Sequence, residues 1–111
     1  MKRIYICSPY KGKTYNVEKH KQLARVYCRM AWDKGFFPIA PHLYLPQFLD
    51  DWSKTERSAA LKYGLKALEQ CAEIWVFGKK ISTGMKAEIE KAEALKIPVK
   101  YFTEYGEEEP L

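Results

Sequence analysis

The apolar positions of the chain fall into four short runs of strand type, separated by stretches with helical periodicity. The strand-type runs lie at 3–7, 36–40, 74–77 and 97–102. Helices are expected over 16–34, from residue 53 or 55 to about 71, and from residue 82 or 83 onward. The resulting order, βαβαβαβ, predicts a three-layer α/β sandwich of the Rossmann or flavodoxin type, with a four-stranded, mainly parallel sheet.

One domain is expected over residues 1–103, because the 111-residue chain has no linker and no internal repeat. Residues 104–111 form an acidic C-terminal tail with a proline near its end. Such a tail is expected to be loose.

The stretch 73–90, EIWVFGKKISTGMKAEIE, predicts a buried strand, a loop and the first turns of a helix. Ser82 or Thr83 can cap this helix, and Gly84 allows a ligand or another backbone to approach closely. The apolar residues Met85, Ile89 and Ala92 follow one another at helical spacing. Glu88 follows Gly84 by one turn, which places a carboxylate near the C-terminal end of a strand, where open α/β sheets bind ligands.

The loops after the strands supply further polar candidates. They are Ser8, Tyr10 and Lys11; His42 and Tyr44; and Gly78, Ser82 and Gly84. Arg57 can bind phosphate or pair with Glu56 or Asp51. His42 can act as a base, and no second His or Cys lies at ligand spacing, so no metal and no cofactor are expected.

Each candidate also has an ordinary structural explanation. Glu88 lies among other charged residues of its helix and can belong to a solvated face. Tyr5 lies within a strand and can be plain core packing, while Tyr10 can stack on a base or lie on the surface. His20, among lysines, is expected on the surface. The residues alone leave these alternatives open.

Composition narrows the function classes only slightly. The formal net charge is +5, but the lysines are spread over helix faces that look solvated, so nucleic acid is not an expected partner. No apolar run approaches the roughly 20 residues of a membrane span, and no membrane association is expected. Three cysteines without CxxC spacing suggest reduced thiols and a cytoplasmic location. Neither a Walker A motif nor GxGxxG is present.

Three segments carry a family resemblance: IYICSPYKG at 4–12, GFFPIAPH at 35–42, and CAEIWVFGKKISTGMKAEIEKA at 71–92. With Arg57 between them, they resemble the nucleoside 2-deoxyribosyltransferase-like superfamily. The similarity is closer to its small uncharacterised bacterial and phage members than to its characterised enzymes.

The resemblance implies a glutamate that attacks the anomeric carbon of a nucleoside or nucleotide and displaces the base. Glu88 matches this nucleophile, and Tyr5 matches a strand residue that positions it. The implied substrate-binding residues are Ser8, Tyr10, His42, Arg57, Ser82, Gly84 and Met85, with Ser82 at a phosphate position. The enzymes complete their sites from a neighbouring subunit, so a homo-oligomer is implied.

One position departs from the pattern. The enzymes carry an aspartate that assists departure of the base, and Gly64 stands at the matching position here. His42, Asp50, Asp51 and Glu56 are the candidates to replace it.

Three functions follow as hypotheses, and whether the protein is an enzyme stays open. The first is an N-glycosidic transferase or hydrolase acting through Glu88. The second is a non-catalytic nucleotide-binding or regulatory protein with a degenerate site. The third, suggested by charge alone, is a nucleic-acid-binding module.

Overall fold

Within the part of the chain that the structure describes, four parallel strands form the central sheet. A computed structural model describes residues 1–10 and 14–110, with β1 at Arg3–Cys7, β2 at Phe37–Ile39, β3 at Glu73–Phe77 and β4 at Val99–Phe102. The strand order is β2-β1-β3-β4, and all three neighbouring pairs are parallel. The α/β sandwich predicted from the sequence is thereby confirmed.

Four α-helices in the described residues surround the sheet. They are α1 at Thr14–Asp33, the short α2 at Pro41–Tyr44, α3 at Lys54–Leu68 and α4 at Thr83–Ala94. The Ser53 and Ser82 hydroxyls cap α3 and α4, accepting from the Glu56 and Met85 amides at 3.3 and 3.2 Å. None of the helices in the described ranges is long and apolar enough to cross a membrane.

Two local expectations were wrong. Helix α1 begins two residues before Asn16, so Asn16 lies inside the helix. His42 and Tyr44 were expected in a loop, but they lie in α2, which is followed directly by a 3-10 turn at Leu45–Gln47. Proline explains this early start, because Pro41 is in the first turn of α2, where its missing N–H is no loss.

Alternation along β1 divides the core into two layers. Ile4 and Ile6 face α1, together with Tyr27 and Phe77. Tyr5 and Cys7 face the opposite side, in the core layer that holds Leu68 of α3 and Ile89 of α4. Tyr5 and Cys7 are 1% and 0% exposed, so this core layer covers both side chains.

The C-terminal segment is packed, contrary to the expectation of a loose tail. Glu108 bridges Phe102 in antiparallel fashion, and the Glu109 amide donates to the Tyr101 carbonyl at 2.8 Å. The Tyr27 hydroxyl donates to the Glu104 carbonyl at 2.7 Å. Because β4 is an edge strand with unpaired backbone groups, the returning segment satisfies some of them and covers the edge.

Candidate active site

Glu88 is held by two side chains of one strand. The Tyr5 hydroxyl donates to Glu88 Oε2, and the Cys7 thiol donates to Glu88 Oε1 at 3.4 Å. Tyr5 and Cys7 are two residues apart on β1 and therefore point to the same face of the sheet. Each carboxylate oxygen thus has its own donor.

Burial fixes the protonation of the two donors. Burial, and then the Glu88 charge, raise the pKa of Tyr5 and of the Cys7 thiol well above their ordinary values, so both keep their protons. Burial also raises the pKa of Glu88, and the hydrogen bonds from Tyr5 and Cys7 act against this rise. The two donors are what allow a carboxylate to exist here.

The helix dipole contributes little to Glu88. The sequence placed this residue near the N-terminus of its helix, but the first turn of α4 after the Ser82 cap contains no acidic residue. The dipole effect fades within that first turn. Stabilisation of the Glu88 charge therefore comes from Tyr5 and Cys7.

Gly64 leaves room for this cluster. It lies buried within α3, and a Cβ atom there would stand 3.1 Å from the Tyr5 hydroxyl and 3.9 Å from Glu88 Oε2. A side chain at this position would press on Tyr5 or displace it. The absence of an acid from position 64 is therefore part of the packing around Glu88.

A cavity of about 190 Å³ opens beside Glu88 and is called the Glu88 cavity below. Tyr5, Tyr10, His42 and Arg57 line it, as the resemblance implied for a common site. Asp51 lines it too and accepts a hydrogen bond from the Tyr10 hydroxyl at 2.8 Å. The cavity therefore combines two carboxylates, one guanidinium, one imidazole and two phenols.

His42 joins Ser8 to this cavity. The Ser8 hydroxyl and His42 Nε2 are 3.0 Å apart. Burial, and then the charge of His20, lower the pKa of His42 to about 4. His42 is therefore neutral near pH 7, and with its proton on Nδ1 it can accept from Ser8.

Four of the expected substrate-binding residues do not line the Glu88 cavity, and Ser8 reaches it only through its contact with His42. Ser82 and Gly84 are exposed at the start of α4 and do not line the Glu88 cavity. Met85 is 2% exposed and packs in the core, because it points down from α4 onto the sheet. Lys11 lies outside the described residues.

Leu61 and His20 lie beside the groups of the Glu88 cavity. Leu61 of α3 is 48% exposed and borders the Glu88 cavity. His20 was expected on the surface and is half-buried, with its Nδ1 3.1 Å from the Tyr10 carbonyl oxygen.

Sequence reasoning missed Cys7 as a partner of Glu88. The available signal was its position two residues after Tyr5 on the same strand face. Asp51 was only one of four substitutes for the missing acid, and no periodicity separates it from Asp50. In the described ranges, no group of three or more His, Cys, Asp or Glu side chains is placed to hold a metal ion.

Comparison with solved structures defines the class of fold. A 2-deoxyribosyltransferase from the psychrotolerant bacterium Bacillus psychrosaccharolyticus matches with a TM-score of 0.68 at 22% identity, over 91% of this chain and 72% of that protein. A 2-desoxiribosyltransferase from Leishmania mexicana matches with a TM-score of 0.64 at 18% identity, over 93% of this chain and 65% of that protein. The chain has the nucleoside 2-deoxyribosyltransferase-like fold.

The sequence itself defines the family. Residues 2–102 match a domain of unknown function, DUF7768, and the chain belongs to this family. No curated protein matches the sequence.

The buried His42 should make folding stability depend on pH. Its pKa is 6.5 ordinarily and about 4 in the fold, so between these values the unfolded chain binds more protons. The free energy of unfolding should therefore fall as pH is lowered from about 6.5 to about 4, by about 3 kcal/mol at most. Chemical denaturation across this range should show a shallower fall for His42→Gln, and equal slopes would contradict the assignment.

Proposed function

We propose that this protein transfers or hydrolyses the N-glycosidic bond of a nucleoside or nucleotide, with Glu88 as the nucleophile. The observation that carries the proposal is the partly buried Glu88 carboxylate, which Tyr5 and Cys7 hold at the wall of a cavity that Asp51 also lines. Paired carboxylates of this kind are the usual means of cleaving a glycosidic bond. The matching fold of two deoxyribosyltransferases supports the same chemistry.

In the first step, Glu88 Oε1 attacks the anomeric carbon. A thiol is a weaker donor than a phenol, so the oxygen held by Cys7 keeps the more available lone pair. As the new C–O bond forms, the C–N bond breaks and its electron pair leaves with the base. Tyr5 stays on Oε2 and keeps the carboxylate oriented throughout.

The departing base needs a proton, and Asp51 is the group assigned to supply it; Asp51 takes this proton from solvent before the step and is left as a carboxylate after it. Asp51 lines the Glu88 cavity, and the Tyr10 hydroxyl holds its Oδ2, which leaves Oδ1 for the base. Asp50, in contrast, accepts from the Trp52 amide at 2.9 Å and does not line the cavity. Protonation of the leaving nitrogen makes the base a neutral leaving group.

In the second step, water or another base attacks the same carbon and releases Glu88. Asp51 takes the proton from the incoming nucleophile, as microscopic reversibility requires. Arg57 and His42 border the same space and orient the substrate. Binding of a 5'-phosphate at Ser82 and Gly84, and completion of the site by a second copy of the chain, remain predictions of the family resemblance.

A non-catalytic nucleotide-binding protein is the alternative. Gly64 favours it, because α3 offers no acid at the position where the enzymes carry an aspartate. Asp51 favours catalysis, because it returns an acid to the same cavity from a different segment of the chain. The two functions differ in one measurable property, which is release of the base.

The direct test is base release from a panel of ribonucleosides, deoxyribonucleosides and their 5'-monophosphates, followed by chromatography. Wild type should release base from at least one of them, and Glu88→Gln should lose this activity. Glu90→Gln, on the exposed side of the same helix, is the matched control and should keep it. Binding without release in the wild type would favour the non-catalytic alternative.

A second test concerns Asp51. Asp51→Asn should slow release of an ordinary base by about 10²–10⁴-fold, the usual value of general acid assistance, and Asp50→Asn should have little effect. A 7-methylguanine nucleoside already carries a positive charge on its base and needs no proton. Its cleavage should therefore be nearly unchanged in Asp51→Asn, and an equal loss for both substrates would contradict the role of Asp51.

A further inference from the structure

A second, larger cavity lies on the other side of the sheet, between α1 and the C-terminal ends of β1, β3 and β4. Its volume is about 620 Å³, and it is called the α1-face cavity below. Ser8 borders it at the end of β1, Phe77 and Gly78 at the end of β3, and Thr103 after β4. In the strand order β2-β1-β3-β4, the chain goes from β1 to one edge of the sheet and from β3 to the other, so the topological switch point lies between β1 and β3. Open parallel sheets bind ligands in the crevice at the carboxyl ends of the strands beside this point.

The size and the walls of this cavity suit an organic ligand. Its volume falls within the range of about 300–1,000 Å³ that is usual for ligand and cofactor sites. Tyr27 and Phe77 form an apolar wall, stacked with their ring centroids 4.0 Å apart. Tyr105 is 81% exposed at the border and offers a flat ring for stacking.

The positive and negative side chains that line the cavity come from different segments of the chain. Lys19 of α1 and the neighbouring Lys79 and Lys80 after β3 line it, and none of them takes part in an ion pair among residues 1–10 and 14–110. Glu104 and Glu109, both from the C-terminal segment, also line it. Lysines can bind a phosphate, while carboxylates accept hydrogen bonds from hydroxyl and amino groups.

This combination favours a ligand with one anionic group and a neutral polar remainder. Gly78 has a φ of +91°, which a glycine adopts without strain and which turns the chain at the point where Lys79 and Lys80 follow β3. A phosphate near these lysines would leave the sugar or ring of the same molecule beside the apolar wall.

Two hydrogen bonds connect the α1-face cavity to the Glu88 cavity, although the two share no lining residue. Ser8 lines the α1-face cavity and bonds to His42 of the Glu88 cavity at 3.0 Å. His20 lines the α1-face cavity and lies 3.1 Å from the carbonyl of Tyr10, which lines the Glu88 cavity. A ligand that moves Ser8 therefore acts on His42, and one that moves His20 acts on Tyr10; both of these residues line the Glu88 cavity.

We propose that the α1-face cavity is a second binding site, which takes a phosphorylated small molecule of nucleotide size and transmits its occupancy to the Glu88 cavity through Ser8 and His20. The site is separate from the proposed substrate position. It does not depend on Glu88 acting as a nucleophile, so it can stand or fall independently of the proposed glycosyl chemistry.

The test uses adenosine 5'-monophosphate as the probe, with adenosine for comparison, followed by calorimetry and amide NMR. The monophosphate should bind more tightly than adenosine and should shift the amides of Lys79, Lys80 and Thr103. The double variant Lys79→Ala/Lys80→Ala should bind it about tenfold or more weakly, as expected for loss of charge-assisted hydrogen bonds. Lys62→Ala/Lys66→Ala removes the same charge from exposed positions of α3 and should bind like wild type.

Four results would overturn parts of this proposal. Equal binding by the two double variants, or no binding by wild type, would remove the site. Shifts confined to Leu61, Gly64 and their neighbours would place the phosphate in the Glu88 cavity instead.

Coupling predicts that the monophosphate shifts the His42 ring signals in wild type and shifts them less in Ser8→Ala. Unshifted His42 signals in wild type would remove the coupling.

Discussion

The site depends on the Glu88 carboxyl group, whose pKa is raised by burial while two hydrogen bonds act against that rise. A buried and unpaired carboxylate would cost several kcal/mol, and in most proteins it would take up a proton instead. Here the Tyr5 hydroxyl and the Cys7 thiol each satisfy one oxygen of Glu88, and both retain their protons because burial raises their pKa values. The rest of the arrangement supports these contacts: β1 lies inside the sheet, α4 packs on the face to which Tyr5 and Cys7 point, and Gly64 leaves room for the Tyr5 hydroxyl.

The sequence predicted the elements because their signals are local. The run from Ile74 to Phe77 and the helix cap at Ser82 or Thr83 both depend on residues close together in the chain; the strand is confirmed, and the cap is Ser82. Contacts across the sheet are different. The thiol of Cys7 and the carboxylate of Glu88 are separated by 81 positions, and they meet only because β1 pairs with β3 in a particular register, with Cys7 opposite Val76.

Other errors share this cause. Met85 belongs to the core because it lies on the side of α4 that faces the sheet. A motif match alone does not say which side of a helix faces a ligand. The C-terminal segment packs because β4 lies at the sheet edge, which its acidic composition does not reveal. Asp51 enters the Glu88 cavity through the irregular chain between the 3-10 turn and α3, where no periodicity guides prediction.

The central claim is that Glu88 bonds covalently to the sugar, and the most direct measurement is to trap that bond. A 2'-deoxy-2'-fluoro nucleoside should react slowly, because its fluorine destabilises the cationic transition state, and the glycosyl ester should then persist. Mass spectrometry of wild type should find the fluorinated sugar on a peptide containing Glu88, and no adduct on Glu88→Gln. An adduct on another residue would contradict the account, as would base release from the unfluorinated nucleoside that continues in Glu88→Gln.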